Sequence, residues 1–155
     1  MSSGVVIRAF EPGDEAAFHD INVEWISAFF VLEAKDRETL ENPRASIIDK
    51  GGAILIALVD GAAMGTAALI PMKDGGVELA KMGVRPEAQG RGLGRKIITA
   101  AIELARERGA QRVYLETNSR LGSALKLYRD AGFVDVVGEP SPYARADVQM
   151  ELVLG

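Results

Sequence analysis

Residues 53–70, AILIALVDGAAMGTAALI, hold two β-rich runs hinged on Asp60-Gly61. Asp-Gly between two such runs is a strong hairpin signal, because a two-residue turn of the right twist needs positive φ at its centre. After KDGG a third run follows, VELAKMGV, from Val77 to Val84. Strands joined by links this short run antiparallel, since a parallel neighbour needs a crossover of a dozen residues or more. This part of the chain therefore cannot be the start of a doubly wound parallel sheet.

The flanking segments complete an α+β pattern. VVIRAF reads as a first strand, and Pro12, Gly13 and Asp14 mark a turn and a helix N-cap. Phe18, Ile21, Trp25, Phe29 and Leu32 follow at helical spacing as one apolar stripe. Asp36 could open another short helix; Asn42-Pro43 reads as a cap with a first-turn proline, and Gly51 as a stop. Beyond Val84 the pattern changes to helix, strand, helix, strand. Leu93, Ile97, Ile98, Ala101 and Ala105 share a face, and Gly109 ends that helix. RVYLET is a strand; Leu121, Ala124, Leu125 and Tyr128 share the next helical face, closed by Gly132. FVDVV and DVQMELVL are two last strands around the loop GEPSPYARA. The expectation is one domain, residues 1–155, with a mixed, mostly antiparallel sheet of about seven strands and helices on both faces.

Composition removes several classes of function. At 155 residues with 48% hydrophobic and 26% charged residues, the chain has the make-up of a globular domain. A net charge of −4 argues against general binding to nucleic acid or an anionic membrane. The absence of cysteine excludes a disulfide, a thiolate metal site and an acyl-cysteine route. No metal-ligating cluster is evident, and His19, the only histidine, lies off the apolar stripe as a surface group. The start lacks the pattern of a signal peptide, and no apolar run approaches the ~20 residues of a membrane span. A cytoplasmic protein is expected.

Between the Val77–Val84 run and the helix beginning near Leu93 lies VRPEAQGRGLGRKII. The first N–H groups of a helix have no intrahelical partners and carry partial positive charge. Glycines let phosphate oxygens approach the backbone. Arg91, Arg95 and Lys96 add formal charge at the same place. The segment is a candidate pyrophosphate site, although a turn that only joins strand to helix is the plainer alternative. It is not a Walker A loop, because Arg95 precedes Lys96 and Ile97 follows. It is not a dinucleotide fingerprint either: Gly90 and Gly92 fit, but Arg95 takes the third glycine's place. Glu116, placed like a ribose-binding acid, does not repair that mismatch.

Gln89, Gly92 and Gly94 match the Gln/Arg-x-x-Gly-x-Gly/Ala loop of the GNAT superfamily of N-acetyltransferases, which the stretch Val84 to Gly94 resembles. ETNSRLGSALKLYRDAGF is similar to that family's second motif, with Asn118 after a strand, Tyr128 on the helix and Gly132-Phe133 closing it. The resemblance implies a small acetyl-CoA-dependent N-acetyltransferase. It implies that main-chain N–H groups through Gly90, Arg91, Gly92, Leu93, Gly94 and Arg95 hold the pyrophosphate. It also implies that the strand end at Met82, Gly83 and Val84 pairs with the pantetheine arm. The acceptor would be a primary amine of a small or amino-acid-like molecule, attacking directly in a ternary complex. A non-catalytic acyl-CoA sensor and a protein-modifying acetyltransferase are the alternatives.

Acyl transfer to an amine needs a base, an oxyanion donor and an acid for the departing thiolate. Tyr128 is the candidate acid, or else a core tyrosine on the apolar face of its helix. Glu78 is the candidate base, or else one member of a salt bridge. Strict alternation places Glu78, Ala80, Met82 and Val84 on one face, with Lys81 on the other. Asn118 could bond the CoA arm, fix the splay after its strand, or cap a turn. A backbone N–H among Met82–Val84 could serve the oxyanion. The resemblance places acceptor specificity in the first helices and last loop, where Trp25, Phe29, Glu33, Tyr143 and Arg145 lie. Glu24 and Glu33 could attract a cation and Arg145 a carboxylate, whereas Trp25 and Phe29 also fit a core role. An exposed last strand is compatible with a homodimer.

Overall fold

The computed structural model describes residues 4–154. Seven strands form one sheet: β1 (Val5–Ala9), β2 (Ala53–Val59), β3 (Ala62–Pro71), β4 (Val77–Val84), β5 (Arg112–Thr117), β6 (Val134–Asp135) and β7 (Val148–Val153). Their order across the sheet is β1-β2-β3-β4-β5-β7-β6, and every pairing is antiparallel except β4 with β5. The helices are α1 (Glu15–Phe29), α2 (Ala34–Glu41), α3 (Leu93–Glu107) and α4 (Gly122–Asp130). The mixed α+β architecture is the one expected.

Both faces of the sheet are covered. Ile97, Ile98, Ala101 and Ala105 of α3 pack with Leu55, Ala67, Leu69, Leu79, Leu115 and Met150 on one face. Phe18 and Ile26 of α1, with Leu40 and Ile47, pack on Ile54, Ile56 and Ala68 on the other. A strand buried on both sides has no reason to alternate, which is why residues 53–57 read as an unbroken apolar run.

The first helices depart from the expected boundaries. Helix α1 ends at Phe29, so Leu32 is not part of it, and Phe29 is 54% exposed. The buried stripe is Phe18, Ile21, Asn22 and Ile26, with a polar residue in its middle. Asp36 does not open α2. Glu33 is the N-cap, and Asp36 sits at the third helical position, accepting the Glu33 N–H at 2.9 Å in a reciprocal capping box. Asn42 caps the C-terminus of α2 instead of starting a helix, and a short π-type turn, Arg44–Ile48, follows. FVDVV pairs only at Val134 and Asp135. Beyond them the chain is tied to Gln149 of β7 through the Val136 N–H and the Gly138 N–H.

The largest correction concerns β4. Thr66 opposes Gly83 and Ala68 opposes Ala80, so Lys81 and Met82 together face only Ala67. Lys81 is the extra residue of a β-bulge and takes a left-handed φ of 50°. Past a bulge the side-chain alternation resets. Met82 and Val84 therefore join Leu79 on the α3 face, while Gly83 comes under Trp25 on the α1 face. Lys81 reaches Asp36 of α2, which places it on the same side as Glu78 and not on the opposite one.

Candidate active site

Strands β4 and β5 pair only at Val77 with Val113 and Glu78 with Tyr114, then separate. The fork between them opens a cavity of about 620 Å³. Its floor is β4 from Glu78 to Val84; one end is formed by Gln89, Gly90, Gly92, Leu93 and Gly94, the other by Trp25, Phe29, Phe30 and Tyr143.

At the first end the local sequence builds the geometry unaided. Gly90 and Gly92 have φ of 78° and 76°, where a Cβ is disfavoured, although a Cβ on either would meet nothing within 4 Å. The requirement is conformational, not steric. Gln89 ties the loop back to β4 by donating from Nε2 to the Val84 carbonyl at 3.1 Å. Within the described residues, no main-chain N–H from position 90 to 95 donates a hydrogen bond to protein, and the first intrahelical bond runs from Lys96 to Gly92. A row of free, polarised donors at a helix start suits a diphosphate. The side chains of Arg91 and Arg95 lie outside the cavity wall, and Arg95 sits 3.6 Å from Asp130. Any part they take in anion binding is long-range.

Two candidate proton-transfer groups line the same cavity. Glu78 has no ion-pair partner among the described residues, and its carboxyl is pushed up to about 7. Burial is the main cause, with repulsion from Glu116 second; Lys81 and Lys35 pull weakly the other way. Tyr128 is 9% exposed, lines the cavity and packs edge-on to Phe133. Burial pushes its phenol up to about 12, so it stays protonated. No protein hydrogen bond to its hydroxyl occurs among the described residues, and no buried side-chain atom among them is left unsatisfied. Tyr128 is thus both a core residue and a cavity residue.

The other expected residues divide. Asn118 lines the cavity, but its amide donates to the Arg145 carbonyl at 2.6 Å and accepts the Arg120 N–H at 2.8 Å, stitching two loops together. Trp25 donates to Asn22 Oδ1 at 2.8 Å and lies against Gly83, where even a Cβ would collide with its indole. Glu33 does not line the cavity: it accepts the Ala144 N–H at 3.1 Å and pairs with Arg145. Arg145 does hold a carboxylate, but it is the chain's own Asp36, gripped at 2.6 and 2.7 Å. Tyr143 has the Lys81 ammonium and the Arg145 guanidinium each 4.6 Å from its ring centre, both drawn there by Asp36. His19 is on the surface beside Asp20.

Several residues of the site were not assigned from the sequence. Glu116 lines the cavity and accepts the Tyr114 hydroxyl at 2.8 Å and the Ser141 hydroxyl at 2.6 Å. Arg120 straps the mouth, donating to the Phe29 carbonyl at 3.0 Å with its guanidinium 4.8 Å over Phe30. The sequence offers Glu116 only as a ribose-like acid, and Arg120 carries no signal at all. Among the described residues no group of acidic or histidine side chains could hold a metal ion, and no helix is long and apolar enough to cross a membrane.

Residues 17–133 match the model of the acetyltransferase (GNAT) family. The chain belongs to the GNAT acetyltransferase family. It is 31% identical over 119 residues to the uncharacterized N-acetyltransferase YjgM of Escherichia coli, covering 72% of this chain and 71% of that one. It is 35% identical over 148 residues to the mycothiol acetyltransferase of Thermomonospora curvata, covering 90% of this chain but only 48% of the relative. The chain therefore spans about half the length of the mycothiol acetyltransferases that it matches. The fold is that of a GNAT-family acetyltransferase from Staphylococcus aureus, with a TM-score of 0.88 at 19% identity over 98% of this chain and 100% of the other. It is also that of YncA from Salmonella typhimurium, solved with its cofactor acetyl-CoA, with a TM-score of 0.76 at 22% identity over 99% and 95% of the two chains. Acetyl-CoA is the acyl donor of GNAT acetyltransferases.

Proposed function

We propose that this acetyltransferase moves the acetyl group of acetyl-CoA to the primary amine of a small or amino-acid-like acceptor, by direct attack with both substrates bound. The observation that carries the reading is the placement of Glu78 and Tyr128 along one cavity, which runs from free main-chain donors to an aromatic wall. The names of the mycothiol acetyltransferases among its relatives favour a small-molecule acceptor. The residues present fit the donor: the N–H groups of residues 90–95 would hold its pyrophosphate, and Met82, Gly83 and Val84 would line its pantetheine arm.

When bound, acetyl-CoA supplies the acyl group as a thioester with a thiol to leave. The chain does the rest. An alkylammonium with a pKa near ~10 must lose a proton before it can attack. Glu78, at about 7, is poised to take that proton directly or through water near neutral pH. A main-chain donor of the Met82–Val84 stretch, where β4 has parted from β5, would serve the oxyanion. Tyr128 stays protonated and can donate to sulfur. The apolar surroundings that raise the phenol also raise a thiolate formed beside it, so burial of the phenol does not by itself widen the gap between the two groups. Trp25, Phe29 and Tyr143 form the acceptor wall, with Asn118 holding the loop that carries Arg145.

Free-thiol release from acetyl-CoA across a panel of amino acids, polyamines, amino sugars and peptide N-termini tests the assignment. One acceptor class should stimulate release with formation of an N-acetyl product. No stimulation by any amine would point to a binding module, and acetylation of peptides alone to a protein-modifying enzyme. Tyr128→Phe should lower kcat by roughly 100-fold while leaving acetyl-CoA affinity within about twofold. Unchanged turnover would remove Tyr128 as the acid.

A further inference from the structure

The left-handed bulge at Lys81 is held from two sides by buried polar groups that the chemistry does not use. On the main-chain side, the Lys81 carbonyl accepts the Thr66 hydroxyl at 2.9 Å. Thr66 Oγ1 in turn accepts the Asn22 amide at 3.0 Å, and Asn22 also donates to the Phe18 carbonyl at 2.8 Å. On the side-chain side, Lys81 Nζ donates to Asp36 Oδ1 at 2.8 Å and to the Tyr143 hydroxyl at 3.1 Å. Asp36 is locked by both nitrogens of Arg145 and by the Glu33 N–H. Asn22, Thr66 and Asp36 are each 0% exposed, and none of the three lines the cavity.

A non-glycine residue with positive φ persists only where its surroundings over-determine it. The reason for holding it here is steric. Alternation from Ala80 without a bulge would turn Met82 toward Trp25. Nothing larger than glycine fits there, since a Cβ on Gly83 already collides with the indole. The bulge inserts one residue, brings Gly83 under Trp25, and sends Met82 and Val84 to the α3 face. It therefore sets both the shape of the acceptor wall and the direction of the main chain along the cavity floor.

We propose that Asp36, Thr66 and Asn22 are positioning residues for acetyl transfer: they hold Lys81 left-handed, and so aim the Met82–Gly83 main chain at the acyl group. The proposal rests on the reaction assigned above. It also assigns the Lys81 ammonium to holding the backbone, not to chemistry.

Glycine adopts positive φ freely, whereas methionine does not. Lys81→Gly and Lys81→Met both delete the ammonium and differ in backbone preference. Lys81→Gly should keep kcat within about threefold of wild type, while Lys81→Met loses about tenfold or more, both with acetyl-CoA KM changed less than about threefold. Equal loss in the two variants would overturn the proposal in favour of a role for the ammonium itself, and equal retention would show that nothing depends on the clamp. Thr66→Val should lower kcat about tenfold and Thr66→Ser, which keeps the hydroxyl, should restore it. This pair decides the matter if Lys81→Met does not fold, and equal kcat for Val and Ser overturns it. Wild type is the control: no turnover with any amine sinks the assigned reaction, whereas wild-type turnover with indistinguishable variants sinks the clamp alone.

Discussion

The two ends of the cavity are made in different ways. The anion end is main chain: a run of N–H groups at the start of α3, shaped by Gly90 and Gly92 and tied to β4 by Gln89. All of it lies within a dozen consecutive residues. The end proposed for the acceptor is side chain: Trp25 and Phe29 from α1, Glu78 from β4, Glu116 from β5 and Tyr143 from the last loop. Its geometry depends on Asp36 gathering Lys81 and Arg145 from 45 and 109 positions away. Backbone donors recognise a chemical group that does not vary, and local conformation suffices to present them. Side chains brought from distant segments can be exchanged one at a time, which suits the end proposed to choose the acceptor.

If that division is right, backbone changes at the anion end should be the most damaging and should act on the donor alone. Gly92→Val should raise the dissociation constant for CoA by roughly 100-fold or more, with the thermal unfolding midpoint lowered by only a few degrees, because a Cβ there meets backbone strain but no neighbour. Calorimetric titration with CoA measures this, and retained tight binding would break the comparison at its first term.

Glu78→Gln comes next and should act on the acceptor's proton. Wild-type kcat/KM should rise with pH through about 7 as Glu78 ionises. The variant should lose about 10- to 100-fold near neutral pH and shed that inflection. Linkage gives an independent reading. The fold raises this carboxyl above its ordinary value, so its contribution to stability is complete below the unfolded value and is lost as pH rises through about 7. The glutamine variant should melt at a higher temperature than wild type above pH 7 and at nearly the same temperature near pH 4. Identical pH profiles would remove Glu78 as the base.

Phe29→Ala should give the smallest effect. The ring is 54% exposed, so the fold should be little changed. An increase of about 3- to 10-fold in acceptor KM, with acetyl-CoA KM unchanged, would sharpen the division between the two ends. An equal rise in both KM values would blur it.

What could be read directly from residue order was whatever local rules decide. Asp60-Gly61 and the short KDGG link set three antiparallel strands, the glycines before Leu93 set a donor-lined helix start, and the periodic apolar residues set α3 and α4. Tyr128 and Glu78 could be picked out as titratable side chains at positions that the fold brings to one cavity. The bulge could not be read, because Lys81 carries no local signal for positive φ. Only Thr66 from β3 and Asp36 from α2 make that conformation preferable, and with it the face on which Met82, Gly83 and Val84 fall. Glu33 and Arg145 carried formal charges that fitted a ligand equally well until packing brought them to each other and to Asp36. Local conformational preference is written residue by residue, whereas the pairing of buried charges is settled by which segments the sheet brings together.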